Sequence, residues 1–229
     1  MTILINTTAP VEADVITFED VAAGAHVSEV FGNQGSGPIF VQGTNPLFPK
    51  RTNAAVVFDS ACPPGGMASD CTGEDIDLGT PNEAFGGPGV GSGGATSNNT
   101  ALGKVLIIAE DVEDANRDDL VDDPDDASRG GTLRLDFSAL GAATIHAITF
   151  VDLDDPDPAQ KVELFQGVVT GTLLATVPLP VAGNNGVSVV PLDVPGVDTV
   201  VITLTDSAAI DNITFTPEGE PAAMRRVAK

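Results

Sequence analysis

Between Glu110 and Asp126 the chain carries ten carboxylates against a single arginine, Arg117. Like charges at this density raise the cost of ionising one another, so the segment cannot collapse in water unless something neutralises it. Apolar, β-like runs surround it at 105–109, 132–137 and 145–151. The acidic segment therefore reads as loops hung between strands, and not as part of the interior.

Ca²⁺ is the obvious neutraliser, a hard cation that takes about six to eight oxygen ligands from carboxylates, amides and carbonyls. Asp114, Asn116, Asp118, Asp122 and Asp125 occupy positions 1, 3, 5, 9 and 12 of a twelve-residue calcium-type loop. Two positions depart from that pattern. Asp119 stands at position 6, where a sharp turn favours Gly, and Asp125 at position 12 replaces the usual bidentate Glu. Asp tolerates left-handed backbone better than most residues, so the first departure weakens the motif without removing it. The alternative reading is a solvated acidic loop that binds nothing in particular.

The acidity extends beyond this segment, since the formal net charge is −23 and the sequence pI is about 4.1. With only ten Lys and Arg in the chain, nucleic acid is not an expected partner, because phosphate binding needs clustered basic residues. A salt-rich habitat and multivalent calcium both suit such a balance, and clustering of the acids favours calcium. Twenty-five Gly, seventeen Pro and many Val, Ile and Thr favour strands and turns. No segment shows the i, i+3, i+4, i+7 apolar spacing of a helix of about ten residues or more. The expected fold is all-β, with enough chain to bury a real core.

Strand signals occur in DVITFED at 14–20, GPIFVQG at 37–43 and AAVVFDS at 54–60. Further signals follow the acidic block in KVELFQG, TLLATVPLP, VSVVPLDV, DTVVITLTD and the closing AIDNITFTP, with NNG at 184–186 as a turn. These are enough for two packed antiparallel sheets. Residues 61–103 show no clear strand, and an irregular stretch of that length usually serves a function or an ion. The organisation expected is an arm at 1–13, one β-sandwich domain at 14–217 and a flexible tail at 218–229. Within the arm, Ile3 to Thr8 is strand-like, either an edge strand of the domain or a free segment able to complete a neighbour's sheet.

Cys62 and Cys71 are the only cysteines and have no further Cys or His nearby to make a metal site. A disulfide closing this short loop is the favoured reading, with two buried thiols as the alternative. A disulfide implies an oxidising compartment. No apolar run is long enough to span a membrane. The amino terminus as written has no basic region followed by a long apolar core, so it does not read as a signal peptide.

The ordered set ITFED, VVFDS, GEDIDLGTP, GGPGVGSGG, VLIIAED, DDPDDASRGGTLRLDF, ITFVDLDD and AIDNITF resembles the β-sandwich domains of bacterial secreted and exosortase-sorted surface proteins. Those are similar in turn to jelly-roll, galactose-binding-like and carbohydrate-binding modules. The resemblance covers about residues 14–217. It implies a jelly-roll-like sandwich with long calcium-binding loops, in which a structural calcium joins Glu19 or Asp20 to Asp211. It also implies a second cluster drawn from Asp59, Asp75, Asp77, Glu110 and Asp126, with Asp152 and Asp154 close to the same loops. The tail EGEPAAMRRVAK lacks the span of sorted relatives, so exosortase anchoring is not expected.

For catalysis, His26 and His146 are the only imidazoles, and neither HExxH nor GxSxG appears. For sugar stacking, the chain has no Trp and no Tyr. The expectation is a non-enzymatic, calcium-binding structural protein of the cell surface or extracellular matrix, self-associating through the arm. A calcium-dependent module that binds polysaccharide is the second reading.

Overall fold

The structure, a computed structural model, describes residues 12–48, 52–62, 75–168 and 170–219. The segment Ile3 to Thr8, Cys71 and the residues from 220 onward lie outside these. The described chain is nearly all β. Its strands are β1 (Asp14–Ile16), β2 (Glu29–Val30), β3 (Ile39–Thr44), β4 (Ala55–Asp59), β5 (Lys104–Ile108), β6 (Gly131–Asp136), β7 (Ala143–Val151), β8 (Lys161–Gln166), β9 (Thr172–Pro178), β10 (Val187–Val197), β11 (Thr199–Leu204) and β12 (Ala209–Pro217). Two antiparallel sheets result. One runs β10-β7-β12-β5-β4 with β1 also on β12, and the other runs β2-β3-β6-β11-β8-β9.

Two kinds of apolar pattern build the two sheets. IFVQGT in β3 alternates buried and exposed residues, as expected of a sheet with one solvated face. VVF in β4 and VLII in β5 are buried without interruption, so both of their faces are covered. Inward-facing Ile16, Ile39, Leu135, Phe150, Ile202 and Ile213 pack between the sheets. Phe137 and Phe215 meet there edge to face at 5.3 Å. On the opposite face of the first sheet, Phe58, Val105, Ile107, Val151 and Ala209 pack with Leu78 and Val121, which come from the loops. The molecule thus has three layers: a sheet, a sheet doubly covered, and a lid of two loops.

The first of these loops is the irregular connection between β4 and β5, which contains short turns at Asp75–Leu78 and Glu83–Phe85 and one helical turn at Gly94–Ser97, but no strand among its described residues. Buried amides hold it. Asn82 Nδ2 donates to Asn185 Oδ1 at 2.7 Å, Asn98 Nδ2 donates to the Gly79 carbonyl at 2.9 Å, and Asn185 Nδ2 donates to the same carbonyl at 2.8 Å. The glycines of this loop serve that closeness, since a Cβ at Gly94 would overlap Asn185 Oδ1.

At the chain's entry to the sandwich, the buried Asp14 accepts from the backbone N–H of Val15, Gln34 and Ser36. Burial works to raise its carboxyl, and these donors outweigh it and hold the group below the ordinary value. The β1 strand is shorter than the apolar run suggested, because ordered pairing with β12 stops at Ile16. No helix among the described residues is long and apolar enough to cross a membrane.

Candidate metal centre

Three distant segments bring carboxylates together where the loop lid meets the ends of β5 and β7. Asp75 opens the turn that supplies Leu78 to the lid. Asp125 and Asp126 arrive when the second loop rejoins the sheet: Glu110 N donates to the Asp125 carbonyl at 2.8 Å, Ala127 N donates to the Ile108 carbonyl at 2.7 Å, and Ala109 bridges Asp126. One oxygen from each of Asp75, Asp125 and Asp126 lies within 4.8 Å of the others. Asp152 follows β7 directly, in left-handed backbone at φ 67°, and accepts from Asn185 N.

Asp75, Asp126 and Asp152 are buried and Asp125 is half-buried, and none of the four has a cationic partner in the ion pairs found among the described residues, which lie at Arg134–Asp136, His146–Asp193 and Lys161–Glu163. Burial pushes the Asp75 carboxyl up to about 10, assisted by its hydrogen bond with Asp125 and by the charges of Asp126, Asp125 and Asp77. Burial likewise pushes Asp152 to about 8, with the charges of Asp77, Asp154 and Asp126 adding to it. Asp126 is pushed by burial to about 7, against the Ser207 hydroxyl that donates to it. Asp77 reaches about 6, chiefly through burial and then through Asp154 and Asp125. So many raised carboxyls in one place demand either protons or a cation. The side chains in this constellation offer only oxygens, the donor set of a hard ion such as Ca²⁺.

Asp114, Asp118 and Asp122 form a separate group, again with oxygens within 4.8 Å. Asp119, the residue at position 6, adopts φ 67°, the left-handed turn for which Gly is usual. Asp118 N and Asp119 N donate to the two oxygens of Asp114, each at 3.1 Å, and Ala115 N donates to Asp122 Oδ2 at 2.8 Å. Asn116 is engaged inside the loop, accepting from Asp118 N. Asp122 Oδ1 is buried without a hydrogen-bond partner. The twelve-residue register does not close, because Asp125 stands with Asp75 and Asp126. Backbone pairing to the end of β5 carries it away from the loop.

The pair drawn from opposite chain ends is Glu19 with Asp211. Asp211 is 1% exposed, its Oδ2 accepts from Asn212 Nδ2, and its Oδ1 is buried with no partner. Burial raises its carboxyl to about 7, and the charge of Glu19 adds to that. Glu19 itself accepts from Lys104 N at 2.8 Å. Asp20 is exposed and lines a different hollow, beside Glu29 and Phe31.

Asp59 joins none of these groups; its Oδ1 accepts from Ala61 N and closes the turn after β4. Glu110 reaches the first group through its backbone, with its side chain exposed. Asp154 is exposed, and its charge is felt by Asp77 and Asp152. His146 ties three strands together, its Nδ1 3.1 Å from Asp193 and its Nε2 2.9 Å from Thr216. Sequence reading missed the Asn82–Asn98–Asn185 hub and the Ser207 donor. The only trace of the hub in the sequence was the NNG turn, read as a turn and nothing more.

The chain matches no protein-family model, and none of the curated proteins matches it.

Proposed function

We propose that this protein is a non-enzymatic, calcium-binding structural component of a cell surface or extracellular matrix. The observation that carries this reading is the convergence of Asp75, Asp125 and Asp126, with Asp152 near enough to feel the charge of Asp126, where the ion pairs found among the described residues supply no cation. In this reading Asp75, Asp125 and Asp126 bind one Ca²⁺, with Asp77, Asp152 and Asp154 around it. Asp114, Asp118 and Asp122 hold a second ion, and Glu19 with Asp211 a third. Bound calcium converts mutual repulsion into cross-links between loops that are far apart in sequence, so folding is linked to the ion. The acidity of the chain and a Cys62–Cys71 disulfide suit an extracellular setting.

Assembly is the second half of the proposal. The strand-like segment Ile3 to Thr8 adds to an open sheet edge of another copy, and head-to-tail repetition makes a filament or lattice. Native mass spectrometry with calcium and after chelation tests the first half: retained calcium supports it, and no retained ion with unchanged stability refutes it. Light scattering on protein lacking residues 2–9 tests the second. Loss of large species with the monomer still folded supports donation by the arm, and an unchanged oligomer removes it.

A further inference from the structure

The strand orders end in β4 and β10 in the first sheet and in β2 and β9 in the second. Three of these ends are closed to a further strand. Along β4, Gly24 N donates to the Val57 carbonyl, Val57 N to the Ala25 carbonyl and Val27 N to the Ala55 carbonyl, so the chain before β2 already covers that edge. β10 contains Pro191, Pro195 and the exposed Asp193, and its register against β7 shifts twice. β2 offers only two residues. The short β1, which lies off the main path, is met by Asn33, whose N–H donates to the Val15 carbonyl. Cover, proline, charge, bulges and shortness are the devices that keep sheet edges from pairing.

β9 has fewer of these defences. Its seven residues, TLLATVP, contain no charge, place their proline last and have one register shift, at Leu174. Leu173 and Leu174 are 49% and 38% exposed. Among the described residues, no hydrogen bond other than those of the ladder with β8 reaches Thr172–Pro178. An exposed, uncharged, apolar edge of this kind is a template for another strand.

We infer that β9 of a second copy is the edge that receives the segment Ile3 to Thr8. The inference rests on the reading that the arm donates a strand, and it assigns the acceptor. Charge selects the pair: copies of net charge −23 repel wherever their acids face, whereas neither residues 2–10 nor β9 contain an ionisable side chain. Chain length selects a second copy over the arm's own domain. Residues 9–13 reach at most about 17 Å when fully extended. β1 lies three strand positions from β10 across the first sheet, about 14 Å, and β9 packs beside β10 in the opposite sheet, about 10 Å away. The sandwich itself fills the direct line, so the route around it exceeds that reach. Each donating chain keeps its own β9 open for the next arm, which makes the contact head-to-tail and non-closing. One short added strand is a small interface, so assembly depends on concentration.

The test is light scattering on full chains in saturating calcium, with thermal melts to show that every variant is folded. Leu173→Lys combined with Thr176→Lys charges two exposed positions of β9, and because Lys reduces the net negative charge, lost assembly cannot come from added repulsion. This edge variant should raise the concentration needed for half assembly by tenfold or more, as should Ile3→Lys combined with Ile5→Lys in the arm. Val189→Lys, on the exposed face of β10, should leave it unchanged. Mixed in equal amounts, the edge variant and the arm variant should form species of about two chain masses and nothing larger, because one intact arm meets one intact edge. Assembly of the edge variant at the wild-type concentration, or its loss in Val189→Lys, overturns the inference and leaves arm donation standing. A mixture that stays monomeric or grows beyond pairs also overturns it. Assembly of the arm variant at the wild-type concentration, or a wild-type chain that stays monomeric, refutes arm donation itself and this inference with it.

Discussion

The backbone N–H of Asn185 donates to Oδ1 of Asp152, while the Asn185 side chain donates to the carbonyls of Asp77 and Gly79. One residue in the turn between β9 and β10 thereby joins a carboxylate of the acidic group to the loop that covers the first sheet. Asp152 answers through its own N–H, which donates to the Gly186 carbonyl at 2.8 Å. The acidic group and the loop lid are therefore mechanically one unit.

Replacing Asn185 with Ala removes several buried hydrogen bonds and leaves Asn82 and the Gly79 carbonyl short of partners. The expected loss is about 2–4 kcal/mol, more than a single neutral hydrogen bond contributes, because orphaned buried groups bear the desolvation cost. Chemical denaturation measures it. Hydrogen exchange should show faster opening over residues 79–98 with the strands between the sheets still protected.

Asp126→Asn separates charge from shape. In calcium-free buffer it should stabilise the protein, because it removes one of the repelling carboxylates whose ionisation burial opposes. In calcium it should lower the ion's affinity by tenfold or more and shrink the thermal stabilisation the ion confers. Calorimetric titration and thermal melts read the two effects. A variant equally destabilised with and without calcium would show that Asp126 acts only through Ser207.

In calcium-free buffer the protein should lose stability as pH rises. In the folded chain Asp77, Asp126 and Asp152 are raised to about 6, 7 and 8 from an ordinary value of 3.8. Between about pH 4 and 8 the folded state therefore binds more protons than the unfolded one, so the free energy of unfolding falls with increasing pH. If the proposed sites bind calcium, saturating ion should reverse the trend, because it binds the deprotonated forms. Melting midpoints at pH 5, 6, 7 and 8, with and without the ion, check the sign. A calcium-free midpoint that rises over this range refutes it.

Phe215→Ala removes a fully buried ring that meets Phe137 between the sheets. A loss of about 3–5 kcal/mol is expected in denaturant titration, independent of calcium. Its contrast with Asp126→Asn separates the stability of the sandwich from that of its loops.

Much of the framework is legible in the sequence. Alternation in IFVQGT, the uninterrupted VLII and the Asn-Gly turn are local properties of the chain, and each appears at its expected place. The β2 strand was not legible, since two residues carry no periodicity. The doubly buried condition of β4 and β5 was legible only as unbroken apolarity, which does not say what lies on the far face.

The acidic groups divide the same way. That the loops would be crowded with carboxylates follows from composition and order alone, and so does the left-handed turn that Asp119 can make. Which carboxylates meet is a different matter, because Asp75, Asp126 and Asp152 are separated by strands whose pairing sets where their ends fall. Asp125 illustrates the limit. Spacing assigned it to the loop of Asp114, Asp118 and Asp122, but pairing of its neighbours with β5 turned it toward Asp75. Local sequence determined the strands and the charge of their connections; long-range register decided which charges share a space, because side-chain periodicity is written in adjacent residues and convergence is not.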